Sequence, residues 1–461
     1  MVVEADRKSW RGVPTTIDSE MAASSNGASA AQQPQQTVGP ADPDSYPLAA
    51  QIPLKDFTLP EFPPHASRLR ELTLTADIKL DEYQAMLQER PLTQPPLPNV
   101  PSSITHLTLE LFGLGFPGTP PFLGRLAKAL PNLTSLTFFS CLIDGLDDAS
   151  RKDAERLFEG CEKLQEVHVI DSFARPGFFK AVGEILEKRC GGGDGGGDGG
   201  GGGDNGLKVV DVSYTFRGHE DSDFLARVAG EELASLIVPG LIGASFDFVP
   251  VPRRDELEEE SGGTEGAEVA RREGDKSNEK KKEKMPEGIL PFASDGRAPS
   301  AMKKRFEKLS TPEGPLRSVK VLNLGMFSLR PVEVGEIVYA CAGGGGEGHE
   351  AGLVDLTVAV LLEKNWAEDL VKGFGYKEVG GALEGIEIIG VPDRATKGTE
   401  AEAEAEEGDW QQGSIELVKQ EDVERLEKAC PKLGKVGMSI LKVRSAPNVV
   451  YLKEEDGWKA M

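Results

Sequence analysis

The chain has 461 residues, a formal net charge of −24 and a pI near 4.8, with 39% hydrophobic and 28% charged residues. So large an acidic excess disfavours nucleic acid and anionic membrane surfaces as partners and favours a basic protein. No apolar run reaches the ~20 residues that span a bilayer, and the start of the chain lacks the basic and apolar stretches of a secretory signal, so a cytoplasmic or nuclear site is expected. The five cysteines, Cys141, Cys161, Cys190, Cys341 and Cys430, are far apart and form no Cys-x-x-Cys pair. They read as buried thiols, with no disulfide framework, no metal and no cofactor.

Residues 1–50 are small, polar and Pro-rich, including Gln32-Gln33-Pro34-Gln35-Gln36, and cannot bury enough surface to offset chain entropy, so they read as a disordered tail. From Leu69 a six-residue pattern recurs, apolar at its first, fourth and sixth places, the last three residues alternating as a half-buried strand does. Its apolar triplets begin Leu69/Leu72/Leu74, Ile104/Leu107/Leu109, Leu133/Leu136/Phe138 and Leu164/Val167/Val169. Next come Leu207/Val210/Val212, Leu233/Leu236/Val238 and Val319/Leu322/Leu324, then Leu353/Leu356/Val358, Leu383/Ile386/Ile388 and Leu433/Val436/Met438. A bare three-place match arises by chance roughly nine times in a chain of this composition, so the inference rests on the order around the matches.

That order is a helix, a stop and a strand. Residues 122–130, 147–160, 177–188 and 422–429 place apolar side chains on one helical face, and each run precedes a strand segment. Leu130-Pro131-Asn132-Leu133, Cys161-Glu162-Lys163-Leu164 and Cys430-Pro431-Lys432-Leu433 share one way of ending the helix and starting the strand.

These residues resemble leucine-rich repeats over roughly 65–455, in particular the long, helix-containing type related to ribonuclease inhibitor and found in F-box-linked repeat proteins of fungi. The family's Asn or Cys three places beyond the last strand residue is matched by Cys141, while Asp77, Phe112, Ser172 and Thr215 hold that place elsewhere. The resemblance therefore implies an α/β fold, an irregular leucine-rich-repeat solenoid with parallel strands on a concave face and helices on a convex one. It also implies possible service as the substrate-recruiting subunit of a ubiquitin ligase, although residues 1–65 contain no Leu-rich helical F-box segment.

The first strand segments start 35, 29 and 31 residues apart, and three longer gaps coincide with low-complexity sequence, as insertions in the connections of a repeat would. They are the Gly-Asp tract at about 191–206, a mixed-charge stretch at about 252–315 and a Glu-Ala stretch at about 393–413. The expected organisation is a tail at 1–50, a solenoid at 51–455 carrying these three disordered insertions, and a second tail at 456–461.

Little chemistry is offered. The Gly-Asp tract lacks the Lys of a phosphate-binding loop and the regular apolar residue of a calcium-binding repeat, so it reads as a linker. Arg271-Arg272 and Lys280-Lys281-Lys282 outline a loose two-part import signal but are interrupted by acids, and a solvated charge run is the simpler reading. His106 and His168 with Ser135 between them form a hydrolase-like set on paper, but an open sheet gives such a set no oxyanion pocket. The chain is therefore expected to bind rather than catalyse.

The third and fifth residues of each segment should line the exposed face. They are Glu71 and Thr73, His106 and Thr108, Ser135 and Thr137, Glu166 and His168, Val209 and Asp211, Val321 and Asn323, Asp355 and Thr357, then Glu387, with Lys435 the sole base and Glu110 one step further. The expected function is a scaffold whose acidic concave sheet holds a basic segment of another protein.

Overall fold

The computed structural model describes residues 47–54, 57–89, 97–191, 206–216, 227–250, 291–310, 316, 318–342, 352–375, 381–392, 417–440 and 449–461. In these residues thirteen strands form one open sheet whose order is the order of the chain. The strands are β1 (Ala49–Pro53), β2 (Glu71–Thr75), β3 (His106–Glu110), β4 (Ser135–Phe139), β5 (Glu166–Ile170), β6 (Val209–Phe216) and β7 (Gly243–Pro250). The series continues with β8 (Val321–Leu329), β9 (Asp355–Leu362), β10 (Gly385–Pro392), β11 (Lys435–Ile440), β12 (Val449–Glu454) and β13 (Gly457–Ala460). Pairing is parallel from β1 to β11 and antiparallel in the closing β11–β12–β13.

The apolar places of the six-residue pattern are what stack. Leu72, Leu107, Leu136, Val167, Val210, Ala244, Leu322, Leu356, Ile386 and Val436 lie in register on ten successive strands. Each is at most 3% exposed. The residue three places earlier in each unit, from Leu69 and Ile104 to Leu383 and Leu433, is buried just before its strand. A rung cannot bury this face alone, and stacking neighbours make one continuous core.

The backbone repeats as faithfully. The N–H groups of Thr105 and His106 both donate to the carbonyl of Arg70, those of Thr134 and Ser135 to Thr105, and those of Gln165 and Glu166 to Thr134. The same shared acceptor recurs in every unit to Gly434 and Lys435 on Glu384.

Helices fill the connections and pack on the buried face of the sheet: Leu123–Ala129, Asp148–Gly160, Phe178–Gly191, Pro331–Ala342, Trp366–Gly375 and Gln420–Ala429. Asp147 begins the second of these by accepting the Ser150 N–H at 2.8 Å, the ordinary service of an N-cap. The chain is thus an open, irregular α/β solenoid with the leucine-rich-repeat arrangement.

Several expectations are corrected. Leu233, Leu236 and Val238 do not form a strand: Gly230–Leu233 is a helical turn and Ala234–Leu236 a 3-10 turn. Ile237, at a place that should point outward, is 1% exposed, so the run is buried all round rather than alternating. The rung is instead Leu241/Ala244/Phe246, where Ala stands in for a large aliphatic residue.

The stretch 252–315 includes an ordered helix, Arg297–Leu309, because Ala298, Met302, Phe306 and Leu309 recur at helical spacing and are buried. Residues 456–461 contain β13, joined to β12 with Trp458 buried, and β1 begins inside the expected tail at Ala49. Residues 1–46, the tract 192–205, the basic clusters at 271–284 and the stretch 393–413 lie outside the described residues.

Candidate protein-binding surface

Alternation along each strand sends every second side chain to the face opposite the helices, and parallel register turns these side chains into rows running across the sheet. One row reads Glu71, His106, Ser135, Glu166, Val209, Gly243, Val321, Asp355, Gly385, Lys435. The next reads Thr73, Thr108, Thr137, His168, Asp211, Ser245, Asn323, Thr357, Glu387, Gly437. Every residue expected to line the sheet except Glu110 falls in these two rows, and Glu110 falls in a third. Glu71, His106, Asp355 and Glu387 are exposed and most of the others half-buried.

Ser135 departs from expectation: it lies in the row but is 5% exposed and is hydrogen-bonded to Glu166.

The centre of the face is an ion-pair chain. His168 Nδ1 lies 3.6 Å from Asp211 Oδ2, and its Nε2 lies 3.8 Å from Glu166 Oε2. Burial pulls this imidazole down, but Asp211 and Glu166 together outweigh burial and lift its pKa to about 9. Contact with His168 in turn holds the Glu166 carboxyl below its ordinary range, against the opposing effect of burial. His168 is therefore a cation on the face at neutral pH, and Lys435 is not the only base there.

Of the residues in the hydrolase-like set, Ser135 is hydrogen-bonded to Glu166 and His168 lies between Glu166 and Asp211. The His106 Nδ1 lies 2.8 Å from the Thr105 hydroxyl.

A third row was largely missed because the sequence pattern was cut at six residues, whereas the strands run further. It comprises Thr75, Glu110, Phe139, Ile170, Ser213 and Asp247. Glu110 accepts from the Thr75 hydroxyl at 3.1 Å and from the Gln51 amide at 3.4 Å, tying β1, β2 and β3 together across the face. Asp247 accepts from the Asn323 amide at 3.1 Å. Burial pushes its carboxyl up, the Asn323 and Phe248 contacts pull it back, and the charges of Asp211 and Glu387 push it up again. Asp247 was missed with its strand.

The place of the family's Asn or Cys behaves as a short ladder. The Ser172 hydroxyl accepts the Cys141 N–H at 3.0 Å and donates to the Ile170 carbonyl at 2.9 Å, and the Cys141 thiol donates to the Leu109 carbonyl at 3.2 Å. Cys141, Cys161, Cys341 and Cys430 are buried, and burial pushes each of their thiols up to about 12. Among the described residues, no group of three or more His, Cys, Asp or Glu side chains is placed to hold a metal ion. None of their helices is long and apolar enough to cross a membrane.

No protein-family model and no curated protein matches the sequence. Among solved structures the chain is similar to an internalin from Listeria monocytogenes, with 11% identity and a TM-score of 0.29, the match covering 71% of this chain and 64% of the internalin.

Proposed function

We propose that the face of the sheet opposite the helices is a non-catalytic docking surface for a basic segment of another protein. The observation that carries this reading is the alignment of Glu71, Glu110, Glu166, Asp211, Asp247, Asp355 and Glu387 on one open face, with the His168 imidazole seated between two of them. A field of that sign accelerates encounter with a cationic segment and turns polyanions away, acting on association rate and salt dependence more than on final affinity.

The test replaces Glu71, Glu110, Glu166 and Asp211 together by Lys and follows a fluorescein-labelled pool of basic peptides by anisotropy at low and high salt. Binding is expected to weaken at least tenfold and to lose its salt sensitivity. Unchanged binding by the reversed face rejects the assignment. The narrower role of substrate-recruiting subunit of a ubiquitin ligase rests on the sequence resemblance alone, and retention of a ligase adaptor by the full chain in a direct pull-down is its test.

A further inference from the structure

Phe139 and Ile170 stand side by side on β4 and β5, in the row that begins with Thr75 and Glu110 and ends at Ser213 and Asp247. Both are half-buried, yet neither belongs to the hydrophobic core or to the partly buried residues packed against it. They are apolar side chains on the open face, with a carboxylate one strand away on one side, Glu110, and two strands away on the other, Asp247. An aromatic and an aliphatic side chain half-buried side by side on an open face, with charge on either side, have the composition of an interface anchor rather than of a solvated sheet.

Resting on the docking surface proposed above, we infer that this row selects an extended segment lying across the strands, with one apolar side chain between two basic ones. The apolar group covers Phe139 and Ile170, and the cations meet Glu110 and Asp247. Four strand spacings of roughly 4.8 Å separate those two carboxylates, about 19 Å in all, which an extended chain covers in about six residues. The recognised sequence therefore carries Lys or Arg at both ends of that interval and a Leu, Met or aromatic residue near its middle. Charge alone makes the face acidic; the apolar pair makes it selective.

The test selects random displayed peptides, long enough to span the row, on the immobilised full chain, with the Phe139→Ser variant as the counter-target. Circular dichroism checks that this variant is folded, and Phe139→Tyr serves as the conservative control. Enrichment of basic–apolar–basic sequences at that spacing is expected, with binding at least tenfold weaker on Phe139→Ser and retained on Phe139→Tyr. Enriched peptides that are basic but lack the central apolar residue, or that bind Phe139→Ser as well, overturn this inference and leave the basic-segment reading standing. Enrichment of neutral or acidic peptides, or none above the bare support, overturns both.

Discussion

His168 gains two carboxylate neighbours on folding and carries a proton that the unfolded chain releases near 6.5, whereas the folded chain holds it up to about 9. A folded-state pKa above the unfolded one means that the stabilisation is complete below about pH 6.5, falls as pH rises through the interval, and is lost above about pH 9. The side chain is 27% exposed, so solvent screening leaves on the order of 1–2 kcal/mol at stake. Urea unfolding at intervals between these limits should show that decline, and His168→Gln should flatten it. An NMR titration in which the His168 imidazole changes state near 6.5 would remove the basis for both.

A second residue-scale effect lies where strands end. Leu111, Ser140 and Asp171 have φ of 62°, 53° and 48°, and each donates its N–H to the next rung, to Phe139, Ile170 and Ser213 respectively. Three successive units end in this left-handed turn, whereas Ala76 makes the same bond to Glu110 without it, and Leu is the costliest of the three residues in it. Leu111 is also 39% exposed, so it recovers little by burial. Leu111→Gly should therefore raise stability by about 1 kcal/mol in urea unfolding; a loss would show that the Leu side chain contributes more than the turn costs.

The face residues of the rungs other than β7 were legible in the sequence because alternation within a strand and register between strands are both carried by the apolar triplets, whereas Gly243 and Ser245 were lost with the misplaced rung. Positive φ and the protonation of His168 were not. They depend on which atoms meet between rungs, which a one-dimensional pattern does not hold.

At the scale of elements, one joint is tied by a buried side chain, between the helices Leu123–Ala129 and Asp148–Gly160. Asp153, fully buried on the second helix, accepts the N–H groups of Phe122 and Leu123 at 2.7 Å each and of Gly124 at 3.0 Å. Burial pushes its carboxyl up, and these three donors with Arg156 pull it back down. One side chain thus satisfies donors that a helix N-terminus leaves open, across two units of the repeat. Asp153→Ala strips all three and should cost about 3 kcal/mol in denaturant unfolding. A cost below about 1 kcal/mol would mean that water replaces the carboxylate without penalty.

Elements were legible where composition was generous. The helices ending at Ala129, Gly160 and Ala429 were readable from their apolar faces and their shared stop sequences. Leu233/Leu236/Val238 misled because three large aliphatic residues matched the template better than Leu241/Ala244/Phe246, and only the buried Ile237 betrayed the false rung. The helix Arg297–Leu309 was hidden inside a charge-rich stretch, its buried residues interspersed with Lys303, Lys304, Arg305, Glu307 and Lys308.

Across the whole molecule, stability in a stacked array is a sum of nearest-neighbour terms, so the weakest rung-to-rung junction decides how the array opens. By the number of residues paired between parallel strands, that junction is β7–β8. Neighbouring long strands pair over eight residues, as β6 does with β7 and β9 with β10, but β7 meets β8 only at Gly243–Val321, Ala244–Leu322 and Ser245–Asn323. Beyond Ser245 a short bridging segment takes over. The Phe292 N–H donates to the Met326 carbonyl at 2.8 Å and the Phe292 carbonyl accepts from Ser328 at 2.9 Å. The rings of Phe292 and Phe327 stack at 5.8 Å, and Phe246 meets Phe327 edge-on at 5.9 Å. Strand hydrogen bonds have been exchanged for aromatic packing, which is favourable but spread over fewer points of attachment. Native-state amide exchange should therefore resolve two cooperative units meeting at this junction, β1–β7 and β8–β13. Leu136→Ala, which empties part of the core in the first unit, should lower protection of β3, β4 and β5 by about 3 kcal/mol while leaving β9, β10 and β11 unchanged. An equal loss on both sides would show that the aromatic junction couples the array as tightly as a full ladder does, and the molecule would then open as one unit.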